Sequence, residues 1–211
     1  MTGQDLIKEI LMFVPELRGS VETVKSWINQ AVRDIEGTED WEYMISEIET
    51  TAGEDIHSPL DMTSMRPKRV FEFMVAGRPL TLVEPFYQFV NLNVSGDVQV
   101  FYSLKNDMLY WKPEVPIGSG VDFMVRFFAR SPEIDESTSN NWLLNNAYNL
   151  VKYKTLMNAA AYTKNIEMLK QYGGLYQLEL EELRKRFGIM TDADRQMLVN
   201  AQQQTTSGGN Q

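Results

Sequence analysis

Cysteine is absent from this 211-residue chain, and histidine occurs once, at His57. Without cysteine there is no disulfide, no thiolate nucleophile and no cysteine-ligated metal. One histidine cannot form the ligand cluster of a zinc site within a single chain. A Ser-His-Asp arrangement would have to be built on His57, which stands in the polar stretch Gly53-Glu54-Asp55-Ile56-His57-Ser58 and reads more simply as an exposed loop residue. No run of about 18 apolar residues is present, so no membrane-spanning helix is expected. The first residues lack a basic segment, and Asp5, Lys8 and Glu9 interrupt the apolar stretch that a signal peptide needs; they read as an amphipathic helix of an intracellular product. Phosphate-binding glycine loops are missing too. Gly118-Ser119-Gly120 lacks the Lys and Ser/Thr of a P-loop, and Gly173-Gly174 falls inside a helical pattern. No acidic spacing matches a calcium loop. The sequence therefore offers no catalytic, cofactor-binding or metal residue, and it reads as a non-enzyme.

What the chain does have is core-forming material: 43% hydrophobic and 11% aromatic residues, enough for one domain or one body with an insertion. Its formal net charge is −9. The excess is N-terminal: residues 1–50 hold eleven acids against four bases, whereas 51–130 and 131–211 each hold nine against eight. Such a chain is a poor general nucleic-acid binder, because phosphate contacts need clustered Lys and Arg. It suits a channel wall along which DNA slides without sticking.

Periodicity divides the chain in three. Leu6, Ile7, Ile10, Leu11 and Val14 mark one face of a first helix, ended or kinked near Pro15 and Gly19. Ser20 is placed to cap a second, in which Val21, Val24, Ile28, Ala31 and Ile35 recur at three- and four-residue spacing. From Met44 the period changes to strands. A hairpin is expected around Ala76-Gly77 and a clearer one around Asn106-Asp107, with a short aromatic helical segment at 84–93 between them. The stretch 121–130 is apolar on both parities and reads as a strand covered on both sides. Residues 141–165 read as one helix of about 37 Å. It has one face of Leu143, Ala147, Leu150, Met157 and Ala161 and another of Leu144, Tyr148, Val151 and Thr155. Two apolar faces call for two packing partners, and Ala159-Ala160-Ala161 permits close approach. The last helix carries Leu169, Tyr172, Tyr176, Leu180, Leu183 and Phe187, with Gly173-Gly174 predicting a kink or a tight contact.

The economical plan is an α+β protein: an antiparallel helical bundle from N- and C-terminal helices, with a small antiparallel β domain inserted between them. The boundaries are 1–42 for the N-terminal helices, 43–131 for the β domain, 132–190 for the C-terminal helices, and 191–211 for an extended or flexible tail. Trp41, Trp111 and Trp142 fall at element boundaries and are expected to pack the junction between bundle and sheet. Glu39, Asp40 and Glu42, like Glu179, Glu181 and Glu182, read as charged surface; a small cell-wall or nucleic-acid hydrolase using Glu39 and Glu42 is the remote alternative. Arg66, Lys68, Arg69 and Arg78 form a basic concentration that would face DNA or a neighbouring subunit. Arg184-Lys185-Arg186 complements the dipole at a helix end or docks on an acidic partner.

Four features bring a known family into view. A helix through Ala31-Val32-Arg33-Asp34-Ile35 runs to Asp40-Trp41. A strand ending at Thr50-Thr51 leads to Ser58-Pro59-Leu60-Asp61. A hairpin arm reads Leu109-Tyr110-Trp111-Lys112-Pro113. A helix opening with Asn141, Leu143 and Leu144 continues to Tyr153 and the alanines, followed by one with Tyr172 and Tyr176. In this order they cover most of residues 20–187, and the chain resembles the head-to-tail adaptor (connector) proteins of tailed bacteriophages, short-tailed phages especially. The resemblance implies a virion protein, made in the host cytoplasm. It would form a dodecameric ring at the portal vertex and join the portal protein to a tail or nozzle protein around the DNA channel, without sequence-specific DNA binding. It transfers no catalytic residue. It makes Leu143, Tyr148, Met157, Ala160, Tyr172, Tyr176, Arg184, Lys185 and Arg186 candidates for subunit or portal contacts, and the chain from Thr191 a candidate portal-docking segment. A tail-tube or nozzle subunit is the alternative.

Overall fold

The computed structural model of the protein describes residues 1–14, 20–94, 99–113 and 116–187. The chain runs through α1 (Gly3–Phe13), α2 (Val21–Thr38), β1 (Ile45–Thr51), β2 (Leu60–Asp61), β3 (Pro67–Val75), β4 (Arg78–Pro79), β5 (Thr81–Leu82) and α3 (Phe86–Asn91). It continues with β6 (Val100–Lys105), β7 (Met108–Lys112), β8 (Asp122–Ala129), α4 (Trp142–Asn146), α5 (Tyr148–Tyr162) and α6 (Ile166–Phe187). It is a mixed α+β protein that divides into two compact units, one of Met1–Tyr43 with the chain from Pro132 on, the other of Met44–Ser131.

In the helical unit, α1 starts from a capping box. Thr2 Oγ1 accepts the Asp5 N–H at 3.2 Å, and the Thr2 N–H donates to Asp5 Oδ2 at 2.9 Å. Its Leu6, Ile7 and Ile10 are buried, as are Val24, Ile28, Ala31, Val32 and Ile35 of α2. Ser20 occupies the N-cap of α2, but its hydroxyl makes no capping bond. The central helix is α5, packed by α1, α2, α4 and α6. Both of its apolar faces are therefore covered from within the same chain: Leu150, Val151, Thr155, Leu156, Ala159 and Ala160 are buried, while Ala161 is exposed. Helix α6 returns antiparallel along α5, with Asn149 beside Glu179 and the ring of Tyr153 stacked on Tyr172.

Two sequence expectations fail here. The single helix over 141–165 is broken at Ala147, which has φ −140° and ψ 37°. The asparagines before it explain the break. Asn141 caps α4 by accepting the Leu144 N–H, and the Asn146 side-chain amide donates to the Trp142 carbonyl at 3.0 Å. Such side-chain amides compete with the backbone ladder. In contrast, α6 runs without a break through Gly173 and Gly174. Neither glycine is required by crowding: a Cβ at Gly173 would stand 3.9 Å from Met157 Cε, and one at Gly174 would meet nothing within 4 Å.

The β unit has two four-stranded sheets, ordered β1-β8-β3-β4 and β2-β7-β6-β5. Their facing side chains form one core. Val70 and Phe73 of β3 and Phe123, Val125 and Phe127 of β8 meet Phe101 of β6 and Leu109 and Trp111 of β7, with the Phe73 ring edge-on to Phe101 and Trp111. Both expected hairpins form. Ala76 (φ 50°) with Gly77 (φ 71°), and Asn106 (φ 55°) with Asp107 (φ 59°), supply the left-handed pairs that two-residue hairpin turns need. The first hairpin has a short return arm. Leu80 is buried and still donates its N–H to the Phe73 carbonyl of β3 at 2.8 Å; beyond it the chain leaves β3, and β5 pairs with β6 in the other sheet. That pairing is parallel, the one departure from antiparallel order among the described strands. Strand β8 lies between β1 and β3; Phe123, Val125 and Phe127 bury one of its faces in the core, whereas on the other Phe128 is buried but Met124 and Arg126 are only half-buried, so the expected cover on both sides is incomplete. Trp111, expected at a junction, instead belongs to this core.

Candidate functional site

The charged and aromatic side chains of the helical unit are largely engaged with one another. Glu9 of α1 accepts hydrogen bonds from Tyr148 Oη at 2.7 Å and Lys152 Nζ at 3.1 Å. Burial pushes the Glu9 carboxyl up, but those two bonds and the Lys152 charge outweigh it and hold the group below its ordinary value. Burial and the same bond push the Tyr148 hydroxyl up. Lys154 pairs with Asp34 at 2.9 Å, and Lys25 with Glu22 at 2.7 Å and Glu136 at 3.3 Å. At the far end of α6, Arg184 Nε donates to Glu39 Oε1 at 2.7 Å. There Trp142 stacks on Tyr43 and meets Phe187 edge-on. Glu39, predicted as plain surface, is mostly buried, and Trp41 is wholly buried with its indole N–H on the Ile35 carbonyl.

The predicted contact residues thus separate. Leu143 and Ala160 are 0% exposed and Tyr176 6%, so these side chains are filled contacts of the unit's own core. Tyr148, Met157 and Tyr172 are half-buried, and the Tyr172 ring touches Phe13 and Tyr153. Of the basic trio, Arg184 is engaged with Glu39. Lys185 pairs with Glu182 one turn back, and the Arg186 guanidinium lies over the Phe187 ring; both remain exposed. The segment from Thr191 lies outside the described residues.

The basic concentration of the β unit also separates. Arg66, Lys68 and Arg69 sit at the start of β3, whereas Arg78 pairs with Val75 at its end, about 26 Å away at strand rise. Arg78 is thus no part of one cluster. Arg130 replaces it, because its N–H donates to the Arg66 carbonyl at 2.8 Å; their separation of 64 positions in the chain conceals this in the sequence. On the same sheet Arg126 bridges Glu47 of β1 and Glu72 of β3, and these hydrogen bonds raise its already high pKa. That ladder joins three strands and leaves no free site.

Large apolar side chains are also exposed on both units. On the helical unit Met12 is 74% exposed, Tyr162 68% and Ile166 65%, with Phe13 and Leu169 also exposed. Tyr162 leans on Trp27. On the β unit, Tyr87 and Val90 of α3 and neighbouring Leu82 and Leu92 are exposed. Sequence reasoning missed these residues. Their signal was Met12 and Phe13 standing off the Leu6, Ile7 and Ile10 face, and Tyr162 and Ile166 flanking a turn. Among the described residues, no group of three or more His, Cys, Asp or Glu is placed to hold a metal ion, and no helix is long and apolar enough to cross a membrane.

Exposed apolar side chains such as Met12 and Ile166 are the surface features of this chain most suited to contact with other proteins. A family model described as SU10 adaptor protein matches residues 1–205. The chain belongs to that family of phage head-to-tail adaptor proteins. None of the curated proteins compared with the chain matches it.

Proposed function

We infer that this phage adaptor protein is a structural, non-catalytic component of the virion. It assembles into a dodecameric ring at the portal vertex and connects the portal to the tail around the DNA channel. The observation that carries this reading is the family match across residues 1–205. The subunit plan that fits it is a bundle of the terminal helices, 1–42 and 132–190, carrying the β domain 43–131 as an insertion. Physical features support it. A closed ring is built from heterologous contacts, in which two different surfaces of each subunit meet. The chain carries exposed apolar side chains on both units to serve them: Met12, Phe13, Tyr162, Ile166 and Leu169 on one, Tyr87 and Val90 on the other. Tyr148, Met157, Tyr172, Lys185 and Arg186 border the first set or the end of α6 and complete the proposed contacts. The chain from Thr191 is the proposed portal-docking segment. A net charge of −9 disfavours retention of DNA passing through the ring.

Cryo-electron microscopy of virions tests this. Density for the chain is expected as a ring between portal and tail, and any other location overturns the reading. A pull-down with portal protein separates the adaptor from a tail-tube or nozzle subunit, which would bind tail proteins alone.

A further inference from the structure

Gly173 and Gly174 lie in the interior of a 22-residue helix, where each costs about 1 kcal/mol relative to alanine. Glycine is normally retained for a left-handed backbone or for a close approach. Neither applies among the described residues. Neither residue has positive φ, and a Cβ at either would meet ordinary contact or open space. The folded helix thus gives no reason for two glycines in succession. Local rules broken without a structural return mark functional positions.

The two halves of α6 are held very differently. Beyond the glycines, Tyr176, Leu180 and Leu183 are buried, Arg184 bonds Glu39, and Phe187 packs on Trp142. Before them, residues 166, 167 and 169–171 are exposed, Met168 is half-buried, and only the Tyr172 ring makes aromatic contacts, with Phe13 and Tyr153. The glycines stand at the boundary between the loosely held and the anchored half.

The other end of the loose half is strained. Helix α5 closes with paired bonds from the Asn165 N–H to the Ala160 carbonyl and from the Lys164 N–H to the Ala161 carbonyl. This is the termination whose left-handed position glycine normally fills. Here it is Lys164, at φ 57°. The chain puts lysine where the turn favours glycine, and glycine where the helix favours anything else. Both choices weaken the hold on residues 165–172, which keep a local cap in which Asn165 Oδ1 accepts the Met168 N–H at 3.0 Å.

We propose that Gly173 and Gly174 form a hinge. Residues 165–172 are an arm that pivots or unwinds about it, while residues 175–187 stay fixed to the helical unit. The movement re-aims Ile166 and Leu169, the exposed apolar residues of the arm. Its use in assembly rests on the adaptor reading above; the hinge itself does not.

Hydrogen exchange on the isolated full-length chain tests the hinge, comparing wild type, the double variant Gly173→Ala/Gly174→Ala, and Gly37→Ala. Gly37 is an exposed helical glycine of α2 with nothing within 4 Å of an added Cβ, so it controls for general stiffening. Amides of 166–172 are expected to exchange about tenfold faster than those of 176–187 in the wild type. The double variant should slow the arm about tenfold and leave 176–187 unchanged; Gly37→Ala should leave the arm as it is. Equal exchange on both sides of the glycines, or an arm indifferent to the double variant, overturns the hinge. A phage lacking this chain is then complemented. The double variant is expected to yield at least tenfold fewer infectious particles than Gly37→Ala. Full rescue would remove the hinge from assembly and overturn that part of the proposal. Absence of the chain from the portal vertex would count against the adaptor reading and leave the exchange result standing.

Discussion

Arg184 in the last turn of α6 donates through Nε to Glu39, the residue that closes α2, at 2.7 Å. The Glu39 side chain is 12% exposed and that of Arg184 37%. A carboxylate at a helix C-terminus faces the unfavourable end of the dipole, and the guanidinium offsets it. Arg184→Ala removes that counter-charge from a largely buried carboxylate and is expected to lower stability by about 2 kcal/mol. Lys185→Ala, in an exposed pair, should fall within about 0.5 kcal/mol of wild type. Chemical denaturation midpoints decide; a loss for Arg184→Ala of about 0.5 kcal/mol or less would show that the α2–α6 pairing carries little stability.

At the N-terminus, a Cβ on Gly3 would lie 1.9 Å from the Asp135 carbonyl oxygen, and the Gly3 N–H donates to the Thr138 carbonyl at 2.8 Å. Backbone crowding of this kind has no flexible neighbour to yield. Gly3→Ala should therefore cost about 2–3 kcal/mol, whereas Gly37→Ala should stabilise by up to about 1 kcal/mol. Thermal melts of the two variants are expected to move in opposite directions.

Acid should act through Glu9, the half-buried member of a set of depressed carboxyls that also includes the exposed Asp5, Asp61 and Asp135. Its carboxyl titrates below the ordinary glutamate range in the folded chain, because the bonds from Tyr148 and Lys152 outweigh burial. A group depressed on folding contributes stability above its unfolded pKa and loses it as pH falls through its folded one. Wild type should thus weaken on acidification below the ordinary glutamate range. Tyr148→Phe deletes one donor, so its stability should change less between pH 7 and pH 3. Parallel stability–pH curves for the two proteins would exclude Glu9 as the responsible group.

Lys164 offers a gain instead. A left-handed residue with a side chain costs about 1 kcal/mol or more, so Lys164→Gly should raise stability by about that amount. A lower melting temperature would mean that the lysine side chain has a compensating contact.

How much of this was legible depended on how local each cause is. The α1 and α2 faces came directly from three- and four-residue spacing, and the Asn106-Asp107 and Ala76-Gly77 turns from residue chemistry at two positions. The break at Ala147 was hidden because it arises from asparagine side chains competing for backbone groups, which no hydrophobic period records. The return of the chain after Pro79 to a parallel pairing in another sheet involves two residues only, too few for a pattern. The two-faced character of α5 was visible, but sequence could not say that its own chain covers both faces. Leu143 and Ala160 were consequently read as outward contacts. The basic residues separate for a related reason: Arg78 is near Arg69 in number and a strand's length away in space, while Arg130 is distant in number and adjacent to Arg66.

The helical unit draws on both ends of the chain, whereas the β unit is a single uninterrupted stretch. Synthesis from the N-terminus turns that difference into a timetable. Residues 44–131 leave the ribosome as a complete unit that can fold by itself, as domains generally do during translation. Helices α1 and α2 emerge first but wait, because α5, which covers their apolar faces, and Asp135, against which Gly3 seats, come only afterwards. For that interval the apolar faces that α1 and α2 turn toward α5 lack their cover, and the earlier helices finish folding after the later sheets.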